Sequence, residues 1–386
     1  MRETFGSTHL VITRYSKPGY KTKVFKIFVL QFCQNMHKRR KKRAFILINW
    51  LLKGTIAALL MFTIYKQVFG KEGWKAAWEA GKALPWMENW PWVGAAFLLL
   101  PLNWVLETQK WRSLLWPFWK IPFGQAFLGV MAGVSLSLFT PNRIGEYGGR
   151  MLAVPPRYNW HAVMAALVGN LAQLLALIGF GLLGAFYVAG LYYREVQLLF
   201  SGLWWLAVAL LGLIYVLYFN IRWLSVVARV LPLPRKVLRL ALWLKHYRPR
   251  RLGLALGLAA ARYATYSFQY YCLLVFFGVN IPVGAALAGI ATIFLIQTSI
   301  PLPPVLGLLA RGEAALLALG PGNDQDVAIL AATFGLFIIN LCLPALVGMA
   351  AIFKINVLKS LGYEIEDVQN EPVRHYADPS HGFRRS

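Results

Sequence analysis

Acidic residues are scarce in this chain: 15 Asp and Glu stand against 40 Lys and Arg over 386 residues, a formal net charge of +25. Charged residues of both signs make up only 14% of the sequence, against 58% hydrophobic. Cysteine is nearly absent, and Cys33, Cys272 and Cys342 have no redox or metal-ligand spacing, so nothing calls for a disulfide framework or a thiolate metal centre. Histidine is equally sparse. His9, His37, His246, His375 and His381 fall in tails or loops, and His161 opens an apolar run, so no H-E-x-x-H pattern arises. A G-x-S-x-G elbow, a P-loop and a dinucleotide fingerprint are likewise missing. The expectation is a chain with no catalytic residue, no metal and no cofactor.

What is present is long apolar runs. With a mean hydropathy of +0.53, runs near residues 45–68, 92–107, 161–190, 197–219, 251–278 and 327–352 reach or approach the roughly 20 residues that span a bilayer. This predicts an all-α polytopic membrane protein. No signal-peptide pattern is visible ahead of the first run, which starts near Ala44. The chain divides into a basic N-terminal segment over 1–43, a transmembrane domain over 44–353 and a polar tail over 354–386. Met1 and Met36 are both candidate starts, the second of which would leave residues 1–35 untranslated.

The positive charge could serve nucleic acid or topology, and its location decides. Basic residues crowd against apolar runs on one side, as the positive-inside rule describes, and nucleic-acid binding is excluded as an expectation. The cluster Lys38-Arg39-Arg40-Lys41-Lys42-Arg43 puts the N-terminus in the cytoplasm. Residues 69–91 balance Lys71, Lys75 and Lys82 against Glu72, Glu79 and Glu88 and lie outside, with Trp74, Trp78, Trp86, Trp90 and Trp92 as an interfacial belt. Lys110 and Arg112 mark the return to the inside. Between 219 and 251 stand Arg222, Arg229, Arg235, Lys236, Arg239, Lys245, Arg248, Arg250 and Arg251 with no acid, again inside.

Parity then constrains two unusual segments. Residues 123–153 are too short for two spans of roughly 20 each, and one span would export the basic connection. A re-entrant or broken hairpin keeps the parity, and residues 283–320, interrupted by Pro301, Pro303 and Pro304, form its counterpart from the other face. The last run ends inside, so both termini are cytoplasmic. About six full spans and two hairpins thus form an inverted repeat, a recurrent plan of transporters.

Charge at membrane depth is the functional signal, because each such group is expensive in hydrocarbon. The candidates are Arg143, Glu146, Arg150, Arg262, Arg311 and Glu313. On a helix, Arg143, Glu146 and Arg150 would share a face, whereas Arg311 and Glu313, two apart, would not. Arg262 falls near the middle of its run, flanked by Tyr263, Tyr266, Gln269 and Tyr270. Guanidinium forks match phosphate oxygens, which suits a lipid headgroup. Structural ion pairing, or snorkelling of Arg143 and Arg150 to the interface, is the competing reading. Glu107 reads as an interface charge beside Lys110. Pro141, Gly145, Gly148 and Gly149, with Pro301, Pro303 and Pro304, would shape the helix breaks.

The stretch Thr140-Pro141-Asn142-Arg143-Ile144-Gly145-Glu146, followed by Arg150, resembles the Pro-x-Arg-x-Gly-Glu motif of the flippase-like family, which includes the transmembrane domain of lysylphosphatidylglycerol synthase. Pro301-Leu302-Pro303-Pro304, Gly307 and Arg311-Gly312-Glu313 are similar to its second motif, with Val305-Leu306 in place of glycines and an inserted Gly312. The resemblance covers about residues 45–353. It implies movement of a lipid or polyprenyl-linked headgroup between leaflets. Aminoacylation of the lipid is not implied, because Glu364 to Ser386 are too few to form the soluble synthase domain.

The expected protein is a translocase of an anionic lipid or lipid-linked headgroup, working by alternating access in a bacterial-type inner membrane, with membrane lipids as partners. The alternative is a non-transporting membrane scaffold for an envelope-lipid or glycan-modifying enzyme. An intramembrane enzyme using Glu146 or Glu313 as acid or base is a third reading, without a nucleophile or metal to support it.

Overall fold

The structure, a computed structural model, describes residues 86–140, 143–230, 235–299, 304–319 and 325–354, with scattered positions between 47 and 62. Both tails and most of the first apolar run lie outside the described residues, as do Pro141, Pro301 and Pro303. The helices below all belong to the compact unit Leu51–Tyr363.

Among the described residues every regular element is helical. In chain order they are α1 (Trp86–Leu115), α2 (Phe123–Phe139), α3 (Gly145–Leu152), α4 (Asn159–Tyr192), α5 (Arg194–Phe219), α6 (Arg222–Val230), α7 (Arg235–Trp243), α8 (Pro249–Phe276), α9 (Val283–Ser299), α10 (Pro304–Leu319), α11 (Asp326–Phe337) and α12 (Leu343–Lys354). A π-helical segment, Ile338–Cys342, joins the last two into one continuous rod.

Among the described residues three helical stretches are long and apolar enough to cross a membrane, Pro156–Tyr192, Ser201–Phe219 and Asp326–Phe353. The chain is a membrane protein on this evidence. Helices α1 and α8 have 30 and 28 residues, ample for a bilayer, but their apolar sequence is interrupted by charge. They pack along each other at the centre of the bundle. The connection between α5 and α8, read from sequence as a basic loop, instead folds into the short helices α6 and α7. The helix α1 continues past Lys110 and Arg112 to Leu115.

The segment 123–153 is a helical hairpin. Helix α2 has 17 residues and α3 only eight, about 25 and 12 Å at 1.5 Å per residue, and neither covers the roughly 30 Å of a hydrocarbon core. They pack tightly because small residues line both faces. A Cβ built on Gly149 would fall on the backbone of Ala132 and Gly133, and one on Gly133 would sit 2.8 Å from the Glu146 carbonyl oxygen. Gly145 presses against the Leu136 carbonyl in the same way, whereas Gly148 meets only a Leu136 methyl at 3.6 Å. Gly145 and Gly149 are therefore contact points between helices, and the break lies before them. Thr140 Oγ1 accepts a hydrogen bond from Gly145 N at 2.8 Å, and Gln125 Nε2 donates to Ala153 O at 2.8 Å, closing the hairpin at both ends.

The second hairpin follows suit: α9 ends at Ser299, α10 begins at Pro304, and the two pack together. Proline at a first helical position removes a donor that had no partner anyway. The contacts of the two halves correspond. Helix α1 meets α2 as α8 meets α9, α3 meets α4 as α10 meets α11, and α1 meets α4 as α8 meets α11. Across the halves, Gly181 and Gly184 of α4 admit Ala288, Ala291 and Leu295 of α9, while Gly348 of α12 admits Met131 and Ser135 of α2.

Candidate functional site

Helices α1, α2, α3, α4 and α8 line an open-sided cavity of about 250 Å³. Its walls are amphipathic. Val130, Val134, Leu174 and Leu177 form apolar surface, and Glu107, Arg143, Glu146, Arg150, Asn170, Gln173 and Arg262 supply the polar part.

The cavity is organised around Glu107, which is 2% exposed. Its carboxylate meets three cations from three helices. Arg150 Nη2 on α3 donates to Oε1 at 2.7 Å, while Lys110 Nζ on α1 and Arg262 Nη1 on α8 approach Oε2 at 2.7 and 2.9 Å. Arg150 is paired as well with Glu146, one helical turn before it. A buried charge must find partners or carry the full desolvation penalty, and here one carboxylate holds α1, α3 and α8 together. Uncharged groups complete the shell. Asn103 Oδ1 accepts from Arg262 Nε at 2.9 Å, and Gln173 Oε1 accepts from Lys110 Nζ at 3.3 Å. Asn103 Nδ2 in turn donates to Asn340 Oδ1 at 2.7 Å, linking the cluster to the π segment of the last rod. The Arg150 and Arg262 guanidinium groups lie 5.6 and 5.3 Å from the Trp111 and Trp104 rings, within cation–π range.

The sequence candidates sort clearly. Glu146, Arg150, Arg143 and Arg262 all line the cavity. At 1% exposure Arg150 does not snorkel. Glu107, read from sequence as an interface charge beside Lys110, is instead the centre of the cluster. Pairing with Lys110 is present, but Arg150 and Arg262 reach it from distant parts of the chain. Arg311 is half-buried and Glu313 exposed, and neither lines the cavity nor forms an ion pair among the described residues. Asn103, Gln173 and Asn170 were not anticipated. Their signal was available, since Asn103, Glu107 and Lys110 recur at spacings of four and three, as do Asn170 and Gln173 at three, and such spacings put polar groups on one helix face.

Arg143 does not share the helix face of Glu146. It precedes α3 and has φ 57°, the single non-glycine residue in the left-handed region among the described residues. That conformation costs an L-residue about 1–2 kcal/mol. Arg143→Gly should therefore be more stable than Arg143→Ala by about 1 kcal/mol; equal thermal midpoints in detergent would show that the backbone there is unstrained.

Donors outnumber acceptors in the cavity. Arg150 Nε and Nη1 and Trp104 Nε1 are buried with no hydrogen-bond partner among the described residues. Three arginines face two carboxylates. This arrangement recognises an acceptor-rich, negatively charged group.

Comparison with known families gives one finding: the family described as the lysylphosphatidylglycerol synthase TM region matches residues 50–348. No curated protein and no solved structure matches the chain. The chain belongs to that family, and the match covers its membrane part.

Proposed function

We propose that this member of the lysylphosphatidylglycerol synthase transmembrane-region family translocates an anionic lipid, or a lipid-linked anionic headgroup, between the leaflets of a bacterial-type inner membrane. The observation that carries this reading is the donor-rich, three-arginine cavity whose lining also includes apolar residues of α2 and α4. A headgroup phosphate would meet the guanidinium groups while its chains lie along Val130, Val134, Leu174 and Leu177. Arg143, Arg150 and Arg262 bind in this reading, without covalent chemistry, so the protein acts as a transporter rather than an enzyme.

The corresponding contacts of the two halves support an inverted repeat, with 123–153 and 283–320 as re-entrant hairpins and alternating access around them. Arg311 and Glu313 would act from the second hairpin in the opposite-facing state. Both termini would be cytoplasmic. Single cysteines at Arg157 and Gly322 should be labelled from opposite sides of the membrane; labelling from one side overturns the inverted plan.

The decisive test is lipid identification by mass spectrometry on protein purified in native-membrane nanodiscs. The parent should be enriched in one anionic lipid class by about tenfold or more over the surrounding membrane, and an Arg143→Ala/Arg262→Gln variant that remains folded should lose the enrichment. Reconstituted in vesicles, the same variant should lose translocation of a fluorescent phosphatidylglycerol. Bulk-like lipid profiles for both proteins would favour the second reading, a scaffold for an envelope-lipid or glycan-modifying enzyme. Its supporting feature is the exposed basic surface of Arg222, Arg229, Lys245, Arg248 and Arg250, suited to an acidic partner.

A further inference from the structure

Two carboxylates share the Nη2 group of Arg150, and their surroundings differ. Glu107 has both oxygens engaged by three cations, lies on a 30-residue helix and is 2% exposed. Glu146 has one ion-pair partner among the described residues and is half-buried. It sits in the first turn of an eight-residue helix, just after the left-handed backbone at Arg143.

The donor arithmetic of the guanidinium makes this asymmetry consequential. Arginine has five N–H groups. The two on Nη2 face Glu107 and Glu146, and the three on Nε and Nη1 have no partner among the described residues. A phosphate binds a guanidinium most strongly through two parallel N–H bonds. Each of the two edges that can form such a pair, Nε with Nη2 or Nη1 with Nη2, includes Nη2. An anion that docks on either edge therefore competes with a carboxylate already there, and like charges side by side in a low-dielectric site repel strongly.

We propose that Glu146 is an exchangeable occupant of the arginine site: its carboxylate holds an Arg150 donor that the anionic headgroup takes over on binding, while Glu107 stays fixed. This inference rests on the reading of the cavity as an anionic-headgroup site. It gives Glu146 a defined task in transport. By competing for Arg150, the carboxylate limits the affinity for the headgroup and speeds its departure, so the lipid is not trapped midway.

The sign of one substitution separates this from a positioning role. Parent, Glu146→Gln and Glu146→Asp proteins are placed in nanodiscs of phosphatidylcholine doped with graded phosphatidylglycerol. Bound phosphatidylglycerol is read by native mass spectrometry, and its translocation is followed in vesicles of the same lipids. Glu146→Gln should bind phosphatidylglycerol on the order of tenfold more tightly and translocate it more slowly at saturation, while Glu146→Asp, which keeps the charge on a shorter side chain, should fall between the parent and Glu146→Gln. Weaker or unchanged binding by Glu146→Gln overturns the exchange, because a carboxylate that merely orients Arg150 is missed when removed. If Glu146→Gln does not fold, Glu146→Ser answers the same question. A parent with no preference for phosphatidylglycerol over phosphatidylcholine would instead sink the functional reading itself, a result distinct from either sign of the Glu146 effect.

Discussion

Glu107→Gln should be the most damaging single substitution in the bundle, because it leaves Lys110 and Arg262 without their carboxylate and Arg150 with Glu146 alone. Removing one partner of a buried ion pair typically costs about 3–5 kcal/mol, and here one residue serves three cations from three helices. The expected result is a large fall in thermal midpoint and in monodisperse yield from detergent, irrespective of added lipid. The cause is testable separately. Adding Lys110→Met removes one uncompensated charge, so the double variant should be more stable than Glu107→Gln alone. Additive effects of the two substitutions would mean that the pair is not coupled, and the charge explanation would fail.

Gly149→Val should be the next most damaging, by a different route. The side chain would have to occupy the space of the Gly133 and Ala132 backbone, which cannot rotate away as a side chain can. Overpacking of a fitted core costs about 1–3 kcal/mol, and a backbone obstruction lies at the upper end. Because α3 carries both Arg150 and Glu146, pushing it off α2 should also abolish phosphatidylglycerol enrichment in protein that still elutes as a folded species. Gly148→Ala is the control. Its Cβ meets only a methyl at 3.6 Å, and replacing a helical glycine with alanine gains roughly 0.5–1 kcal/mol of backbone entropy. A Gly148→Ala variant as impaired as Gly149→Val would show that flexibility along α3, rather than its contact with α2, is what matters.

These glycines also show what sequence could and could not disclose. Their clustering after Pro141 marked a break in an apolar run, and the hairpin followed from that and from loop charge. Which of them touches a neighbouring helix depended on the rotation of α3 about its axis, which eight residues do not define. Glu146 and Arg150 were legible as a pair because they are one helical turn apart. Arg143 looked equivalent by spacing but precedes the helix in a left-handed conformation that spacing does not encode. Glu107 was misplaced for a simple reason. Lys110 and Arg112 resemble the inner end of a span, whereas the arrival of Arg150 and Arg262 and the packing of Trp111, Leu114 and Leu115 bury the helix there.

The placement of charge on α1 and α8 bears on biogenesis. A charged residue at the centre of a nascent segment opposes its transfer from the translocon by about 2.5–3.5 kcal/mol, and α1 carries Glu107 and Lys110 while α8 carries Arg262. Neither is among the helices apolar enough to cross unaided, whereas Pro156–Tyr192 and Asp326–Phe353 are. Two of the helices that line the site are thus weak insertion signals despite their length. Glu107 has Lys110 on its own helix, but its other two cations, Arg150 and Arg262, are synthesised later, so the ion-pair cluster is complete only once α8 has joined the bundle.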